Sequence, residues 1–581
     1  MEDYTFDISN VLIVGCGGAG LRAAIEARNQ GLCVKVLGKR IKNDSHTVLA
    51  AGGINAAFGN VDKDDSWKQH FADTYLEGYG IGDSRHIELM AKESLEAVNE
   101  IDNWGANLQK LANGKLDQRF FGAHTFRRTC YSGDYTGQSI LFALLKKIKN
   151  LSIPVYDKQY VTDLLIKDNC CFGAMSFNYE SGERTVHYAD AVILCTGGHT
   201  RIWKKSSSRK QENNGDGFSL GLKAGCSLID MEMVQFHPTG MVLPEEIAGT
   251  LVTEAVRGEG GKLFNANGDR FMINYDKERM ELSTRDKVAF ANYTEIAEGR
   301  GTPNGGVYLD ISHMNKEFII KKIPKIFRQF IEGQMLDISK EPMEVAPTAH
   351  YSMGGLKVDA ENHQTTVNGL FAAGEVVGGL HGANRLGGNS LAEILVFGKR
   401  AGSAASDYSK NLEHFVRSKK VICKCNENIE KLIKKGNELV IPLQNELSEI
   451  MWSYCGVVKD KNNLNIGLKK LQEIKKRSQE IDVRVNDNNY QDLINTFDFK
   501  ASLVSAESTI ISSIEREESR GAHQRRDFPE ISTSGNYNIE VKLVDNKINL
   551  TRLKLEELNI NLRKIIEQTS DISSFKGRLL E

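Results

Sequence analysis

Residues 10–38 decide the fold of this 581-residue chain, and they read NVLIVGCGGAGLRAAIEARNQGLCVKVLG. A β-rich run, a glycine turn, a helical run that ends in glycine and a second β-rich run predict a strand–helix–strand unit. The turn holds Gly15, Gly17 and Gly20 in GxGxxG spacing. This spacing lets the backbone approach a pyrophosphate at the N-terminus of the helix. The unit therefore predicts a dinucleotide-binding fold.

The residues after the second strand leave the identity of the dinucleotide open. An acidic residue that would bind a ribose is absent, and Gly38, Lys39 and Arg40 stand there instead. Two later apolar runs, ADAVILCTGGH at 189–199 and VNGLFAAGEVVGG at 367–379, predict further strands that end in glycine turns. Because a long stretch separates them, we expect an inserted domain between them.

Bulk composition excludes several classes of protein. The net charge is −2, from 74 basic and 76 acidic residues, so no overall field would attract nucleic acid. The N-terminus, MEDYTFDISN, lacks the features of a signal or transit peptide, and we expect a cytoplasmic location. No apolar run approaches the roughly 18 to 20 residues that span a bilayer, so membrane association is expected only through partners.

The ten cysteines contain no CxxC pair. Structural zinc sites and iron–sulfur clusters usually need such closely spaced thiols. We therefore expect no metal site built by this chain alone.

Composition also divides the chain into predicted domains. Between the strand-rich parts lies the candidate insert, and after it Lys, Glu, Asn, Leu and Ile occur at helical spacing. The predicted divisions are a nucleotide-binding domain at 1–234 and 345–406, a capping domain at 235–344, a helical domain at 407–529 and a C-terminal tail at 530–581.

Histidine, arginine and glutamate side chains, with one threonine, gather beside glycines in the insert and at its borders. They are His237, Thr253, Glu254, Arg257, Arg285, His350 and Arg385. A single arginine beside an acidic residue is typical of a local salt bridge, and a single buried histidine is typical of a hydrogen-bonded core residue. Together, two histidines and several arginines supply two separate clamps for the carboxylates of a small dicarboxylate. Hydride exchange with a flavin also needs a proton at the adjacent carbon, and Glu254, Arg257 and Arg285 could relay it.

Several long motifs resemble those of a known family. They are SHTVLAAGGINAAFGN, RRTCYSGDYTG, DMEMVQFHPTG, TEAVRGEGG, STRDKVA, HYSMGG, GLFAAGEVVGGLHGANRLGGNSL and ESRGAHQRRDFP. Through them the chain, from Asn10 to Pro529, resembles the flavoprotein subunits of succinate dehydrogenase and fumarate reductase. The resemblance implies an α/β fold: a Rossmann-like FAD-binding domain with an inserted α+β capping domain, then a helical domain and a short tail.

The resemblance also implies where FAD binds. His46 stands where the family attaches FAD covalently through a histidyl bond. The other positions that match FAD contacts are Gly15, Gly17, Gly18, Gly20, Lys39, Ser45, Thr47, Gly52, Gly53, Asp216, Glu375, Ser390 and Leu391. Ala51 departs from the family, which commonly has Gln before the double glycine, and Ala255 replaces the usual Gly after the glutamate of the catalytic segment.

Substrate and catalytic roles follow from the same resemblance. The positions that match dicarboxylate ligands are His237, Thr253, His350 and Arg385. Arg285 matches the catalytic arginine, with Glu254 and Arg257 in the proton path. An arginine is an unusual acid because its pKa stays above about 12, and the residues alone predict only a carboxylate clamp.

The implied activity is the interconversion of succinate and fumarate, with succinate oxidation favoured and fumarate reduction as the alternative direction. The implied partners are an iron–sulfur protein subunit, which passes electrons to a quinone pool, and membrane subunits that hold the chain peripherally on the cytoplasmic face of the inner membrane. L-aspartate oxidase is a second alternative, although His46, HYSMGG and RLGGNSL resemble the dehydrogenase subunits more. A non-catalytic flavin-binding protein is the third.

Overall fold

The computed structural model describes residues 4–486 and 489–569. The elements up to the end of the first long sheet segment are β1 (Thr5–Val14), α1 (Gly18–Asn29), β2 (Val34–Leu37), β3 (Ile54–Asn55), α2 (Trp67–Glu77), α3 (Ser84–Ile101), β4 (Thr129–Cys130), α4 (Thr136–Asn150), β5 (Val155–Tyr156), β6 (Gln159–Lys167), β7 (Cys170–Asn178) and β8 (Arg184–Leu194). The next elements are α5 (Asp216–Ala224), β9 (Leu228–Ile229), β10 (Val234–Met241), α6 (Ala255–Gly258), β11 (Lys262–Phe264), α7 (Arg285–Glu295), β12 (Val307–Asp310), α8 (Lys316–Lys322), α9 (Pro324–Gln334) and β13 (Met343–Ser352).

The chain continues with further strands and longer helices. These are β14 (Gly355–Leu356), β15 (Leu370–Ala372), α10 (Asn389–Lys410), α11 (Lys419–Leu432), α12 (Val440–Tyr454), β16 (Val458–Lys459), α13 (Lys461–Arg477), α14 (Gln491–Glu515), β17 (Gln524–Arg525), β18 (Tyr537–Val544), β19 (Lys547–Lys554) and α15 (Ile560–Gln568).

A seven-stranded sheet forms the centre of the nucleotide-binding part. Its order is β5-β2-β1-β8-β7-β6, and β15 pairs with β8 in parallel. Strand β1 lies parallel to both β2 and β8, and its last residues, 11–14, are buried. Buried parallel strands are continuous apolar runs because helices cover both faces of the sheet. The predicted strand–helix–strand unit and the α/β fold class are therefore confirmed.

The segment between β8 and β15 carries a second sheet. Its four strands are antiparallel in the order β10-β13-β12-β11. Helices α7, α8 and α9 pack with this sheet around one apolar core. They contribute the buried residues Val288, Ile319 and Phe330 to it. Strand β10 begins at Val234 and β13 ends at Ser352, so the bordering strands extend past 235–344. The limits of the predicted domains stay a prediction.

Helices α12, α13 and α14 pack on one another, α11 packs on β6 and β7, and all four helices contribute to a common apolar cluster. Their apolar residues recur at helical spacing, as with Leu464, Leu471 and Ile474 of α13, because only one face of each outer helix is buried. Helix α14 lies against α5 and so reaches the nucleotide-binding part. The predicted helical region is confirmed.

The tail packs against the nucleotide-binding part of the chain. Strand β18 pairs with β9 in the sheet β14-β9-β18-β19, and α15 buries Leu562, Ile565 and Ile566 in the core that contains α1. Strands and a helix are therefore present in the tail, as predicted. Residues 570–581 of the predicted tail lie outside the described residues. No helix in the ranges 4–486 and 489–569 is long and apolar enough to cross a membrane.

Candidate functional site

One cavity joins the glycine turn after β1 to the His and Arg residues of the insert. Its lining includes Gly15 at one end and His237, Arg285 and His350 at the other. Two predicted site residues do not line it, namely Gly20 and Arg257. The sheet thus presents its nucleotide-binding turn to the same space that the capping strands β10 and β13 close.

The glycine turn has little room for side chains. Gly15 has φ +119°, and a Cβ there would lie 2.1 Å from the carbonyl oxygen of Cys195. A Cβ on Gly20 would lie 2.0 Å from the Gly15 carbonyl oxygen, so Gly20 serves the packing of α1 against the turn. This packing explains why Gly20 does not reach the cavity.

The start of α1 faces the cavity. A Cβ on Gly17 would meet no atom closer than Thr47 Oγ1 at 3.5 Å, and the Gly18 backbone N–H donates to the same hydroxyl over 3.0 Å. Both glycines and Thr47 line the cavity. Backbone N–H groups at a helix N-terminus attract a phosphate.

Lys39 also lines the cavity, but carboxylates hold it. Its Nζ lies 2.5 Å from Asp498 Oδ1 of α14 and 3.7 Å from Asp216 Oδ2. Burial alone would lower the pKa of Lys39, yet these two carboxylates raise it overall. The amine therefore stays charged and ties the helical region to this end of the cavity.

Three buried polar atoms near the nucleotide end have no hydrogen-bond partner among the described residues. They are Ser45 Oγ, Thr196 Oγ1 and Asp216 Oδ1, and all three residues line the cavity. Buried polar atoms normally have partners. Two hydroxyls and a carboxylate oxygen suit the hydroxyl and phosphate groups of a dinucleotide, so the lining fits FAD.

His46 begins a 3₁₀ turn, His46–Leu49, and lines the middle of the cavity. Its Nδ1 lies 2.9 Å from Glu212 Oε1. Burial alone would lower the pKa of His46, but Glu212 raises it overall. Glu212 belongs to no quoted motif and is remote in sequence, so sequence reasoning missed it.

The double glycine after this turn is close to neighbouring side chains. A Cβ on Gly52 would lie 2.7 Å from Phe121 Cζ, and one on Gly53, at φ +141°, would lie 2.4 Å from Thr129 Cγ2. Both glycines and Ala51 line the cavity. Side chains at the two positions would therefore displace the wall of the site.

The residues of the second half of the nucleotide-binding part complete the wall. Glu375, Ser390 and Leu391 line the cavity, the last two from the first turn of α10. Glu375 Oε1 accepts from the Ser352 backbone N–H over 3.0 Å, and burial raises the pKa of Glu375.

Two histidines face each other at the capping end. The ring centres of His237, on β10, and His350, on β13, are 5.2 Å apart. His350 Nδ1 lies 2.9 Å from Ser207 Oγ. The pKa of His237 lies well below its usual value because of burial and then Arg285, and that of His350 because of burial and then Arg385. Both rings are therefore neutral at pH 7.

Two arginines share one amide oxygen beside these histidines. Arg285 and Arg385 both donate to Gln235 Oε1, over 3.1 and 3.0 Å. Burial and the charge of Arg285 lower the pKa of Arg385 to about 10. Arg385 also lies over the Tyr351 ring, 4.3 Å from its centre, and its Nε has no partner in the described part of the chain. Sequence reasoning missed Gln235, although it stands two residues before His237.

The three predicted relay residues form a row. Arg285 Nε donates to Glu254 Oε2 over 2.8 Å, and Arg257 approaches the same oxygen to 3.9 Å. Burial alone would raise the pKa of Glu254, but the two arginines lower it to about 2. Thr253 lines the cavity next to Glu254, whereas Arg257 lies behind it and donates to the Glu281 carbonyl oxygen over 2.5 Å. Glu254 is thus an anion between two cations.

Within the described ranges there is no group of three or more His, Cys, Asp or Glu residues that could hold a metal ion.

The chain is similar to known proteins along most of its length. A family model described as FAD binding domain matches residues 10–391, and one described as fumarate reductase flavoprotein C-term matches residues 444–569. The chain is 44% identical over 532 residues to one subunit of the fumarate reductase (CoM/CoB) of Methanothermobacter marburgensis, in a match that covers 91% of this chain and 96% of that one. It is 36% identical over 552 residues to the succinate dehydrogenase flavoprotein subunit of Rickettsia conorii, in a match that covers 90% of each.

Two solved structures have a similar fold. Mycobacterium smegmatis Sdh1 in complex with UQ1 has a TM-score of 0.87 at 38% identity and covers 95% of each chain. E. coli quinol fumarate reductase FrdA with the E245Q mutation has a TM-score of 0.91 at 31% identity and covers 96% of this chain and 98% of that one. The chain is an FAD-dependent oxidoreductase. It belongs to the family of succinate dehydrogenase and fumarate reductase flavoprotein subunits.

Proposed function

We propose that this chain interconverts succinate and fumarate by hydride exchange between the dicarboxylate and FAD. The observation that carries the proposal is the pairing of two neutral histidines with two arginines at one end of the FAD cavity. FAD, when bound, supplies the two-electron acceptor or donor for the hydride.

The capping end binds the substrate through two kinds of donor. Arg385, whose Nε lacks a partner among the described residues, offers a planar fork for one carboxylate. His237, His350 and the Thr253 hydroxyl offer directional donors for the other. Arg385, His237 and Thr253 are buried, and their burial excludes water and strengthens each contact. One wall thus fixes both ends of a four-carbon dicarboxylate.

Arg285 moves the proton at the substrate carbon, and Glu254 with Arg257 forms the path behind it. A buried guanidinium next to a carboxylate and a second guanidinium can pass a proton without titrating freely in water. Arg285 lines the cavity, Glu254 contacts it, and Arg257 lies behind them, so the row leads away from the substrate. General acid catalysis by such a positioned group contributes about 10²- to 10⁴-fold.

His46 anchors FAD covalently in this proposal. Its ring lines the cavity, and its Nε2 has no hydrogen-bond partner among the described residues. The N-terminal turn of α1, Ser45 and Thr47, with Lys39 and Asp216 near the adenosine end, hold the rest of the cofactor.

Electrons leave through an iron–sulfur protein subunit to a quinone pool, and partner subunits hold the chain on the cytoplasmic face of the inner membrane. The absence of a CxxC pair from the sequence supports a separate iron–sulfur carrier. The similarity to M. smegmatis Sdh1, whose structure is a complex with UQ1, supports the quinone.

Fumarate reduction is the second candidate direction. The chain is 44% identical to one subunit of the fumarate reductase (CoM/CoB) of M. marburgensis and 36% identical to the R. conorii succinate dehydrogenase flavoprotein subunit. The higher identity to the reductase favours fumarate reduction. Both directions use the same clamp and relay, so the proposed site is unchanged.

The test is to measure both directions with the purified FAD-bound chain, using a reduced viologen with fumarate and an oxidised dye with succinate. We expect turnover with C4 dicarboxylates and competition by malonate, and the ratio of the two rates selects the direction. Aspartate-dependent dye reduction without succinate turnover would instead establish an L-aspartate oxidase. Bound FAD without turnover of any of these substrates would revive a non-catalytic flavin-binding protein.

A further inference from the structure

A buried carboxylate holds one nitrogen of His46. Glu212, which is 7% exposed, places Oε1 2.9 Å from His46 Nδ1. The other ring nitrogen, Nε2, has no hydrogen-bond partner among the described residues, and the ring lines the FAD cavity. The imidazole is therefore fixed at one nitrogen, while the other can react.

Arg209 keeps this carboxylate in place and ionised. Its backbone N–H donates to Glu212 Oε1 over 2.7 Å, and its guanidinium donates to Oε2 over 3.0 Å. Asp44 in turn accepts from Arg209 Nη1 over 2.5 Å. Although burial alone would raise the pKa of Glu212, His46 and Arg209 lower it overall. Glu212 is thus an anion whose two oxygens have fixed donors.

We propose that Glu212 is the positioning residue that prepares His46 for covalent attachment to FAD, an inference that rests on the attachment proposed above. In the neutral ring, an anionic acceptor at Nδ1 keeps the hydrogen on that nitrogen and so leaves the lone pair on Nε2. It also stabilises the positive charge that develops on the ring as Nε2 forms a bond, as the aspartate of a catalytic triad does.

The attachment balances in atoms and electrons. The C–H bond of the flavin 8α-methyl group breaks, and its proton leaves as its electron pair reduces the isoalloxazine, which takes up one proton at N5. The lone pair of His46 Nε2 forms the new bond to the 8α carbon. Two electrons and one proton then leave the reduced ring for dioxygen supplied in the assay, and together with the proton released from the methyl group they convert it to hydrogen peroxide. Glu212 accepts no proton in this sequence and acts only on the charge and orientation of the imidazole.

Other groups near His46 are less suited to this role. Glu375 Oε1 is occupied by the Ser352 backbone N–H, and neither of its oxygens forms a hydrogen bond with His46 in the described structure. Arg209 and His350 also act on the charge of His46, but neither accepts its Nδ1 hydrogen. The contact with Glu212 is therefore the one that selects the tautomer.

The experiment follows covalent attachment in time. The flavin-free full-length chain is mixed with FAD in air, and samples are denatured in acid and assayed for fluorescence that stays with the protein. Glu212→Gln and Glu212→Asp are compared with the wild type, and Glu430→Gln, which changes a surface ion pair with Arg184, is the matched control. Total bound FAD is measured separately by absorbance before denaturation.

We expect Glu212→Gln to bind FAD but to attach it roughly 10²-fold more slowly, because an amide provides no charge and can donate to Nδ1. Glu212→Asp keeps the charge and should attach FAD at least about tenfold faster than the amide variant. The Glu430→Gln control should match the wild type.

Wild-type attachment by Glu212→Gln would overturn the inference and leave the covalent link intact. Equal losses in the Gln and Asp variants, with FAD still bound, would overturn it too, since the charge would then not matter. A wild type that binds FAD but never retains it in acid would overturn the proposed link and this inference together.

Discussion

Arg285 donates from Nε to Glu254 Oε2 over 2.8 Å, with both side chains buried beside the cavity. Arg257 lies on the far side of the same carboxylate, at 3.9 Å. In the proposed relay, Arg285 exchanges its proton through Glu254 with Arg257.

The first prediction concerns this pair. Arg285→Lys keeps a positive charge, so FAD and malonate should still bind, but the shorter point charge cannot hold both Glu254 and Gln235. We expect kcat to fall by about 10²- to 10⁴-fold. Steady-state kinetics and malonate titration check it, with Arg85→Lys at the surface as control. Turnover near that of the wild type would contradict the relay.

The second prediction concerns Gln235, whose single oxygen accepts from both Arg285 and Arg385. Gln235→Leu removes both charge-assisted bonds and leaves two like charges without a shared acceptor. Each such bond contributes about 1.5–3 kcal/mol, so we expect kcat/KM to fall roughly 10²-fold or more. Gln334→Leu on α9, which donates to the Leu243 carbonyl oxygen at the surface, is the control. An unchanged kcat/KM would show that the arginines keep their positions without Gln235.

These residues also show how far sequence reasoning reaches. The GxGxxG unit predicts β1, α1 and β2 because the periods of a strand and a helix are visible in neighbouring residues. Glu212 and Asp498 lie far in sequence from His46 and Lys39, and no local pattern joins such pairs. Gln235 stood inside a quoted motif, yet its importance depends on two arginines brought from other elements.

The tail illustrates the same limit. Its strands could be predicted from composition, but their position could not. Strand β18 pairs with β9, and the contacts Glu540 with Ile229 and Val541 with Leu228 join segments that lie far apart in the chain. Long-range strand pairing depends on the whole fold and not on the tail alone.

The third prediction concerns protons taken up with the substrate. The pKa values of His237 and His350 lie well below the usual range in the free site, because of burial and the nearby arginines. A bound dianion favours the charged imidazole and raises these pKa values. Malonate binding to the FAD-bound chain should therefore take up about one proton, and its affinity should weaken as pH rises.

Titration calorimetry in two buffers of different ionisation enthalpy measures this uptake. His350→Gln should reduce it, whereas His414→Gln, at an exposed position, should not. Binding with no proton uptake at any pH would mean that the arginines alone neutralise the ligand.

The fourth prediction concerns the link between α14 and the nucleotide-binding part. Asp498 accepts from Lys39 over 2.5 Å, from the Tyr160 hydroxyl over 3.0 Å and from Asn214 over 3.1 Å, and it is 2% exposed. Asp498→Asn removes the nearer of the two carboxylates beside the Lys39 ammonium and leaves only Asp216, at 3.7 Å. Breaking a buried pair costs about 3–5 kcal/mol, which is the upper bound for this change. Urea unfolding of the flavin-free chain should show this loss.

The matched change on the same helix is Glu507→Gln, which breaks an exposed ion pair with Lys475. Such surface pairs contribute less than about 1 kcal/mol. Equal free energies of unfolding for the two variants would show that Asp216 alone is enough to hold Lys39.

The last prediction concerns His46 as the anchor. His46→Ser removes the imidazole that lines the cavity but leaves the glycine turn, Thr47 and Asp216 to bind FAD. We expect the variant to be purified with flavin that acid releases, whereas the wild type keeps its flavin in the acid pellet. A covalent link is expected to raise the flavin potential, so the variant should lose succinate oxidation while retaining some fumarate reduction. His414→Ser is the control. If acid releases the flavin of the wild type as readily, His46 is a lining residue only, and the relative rates of the two directions must be set by the electron partner.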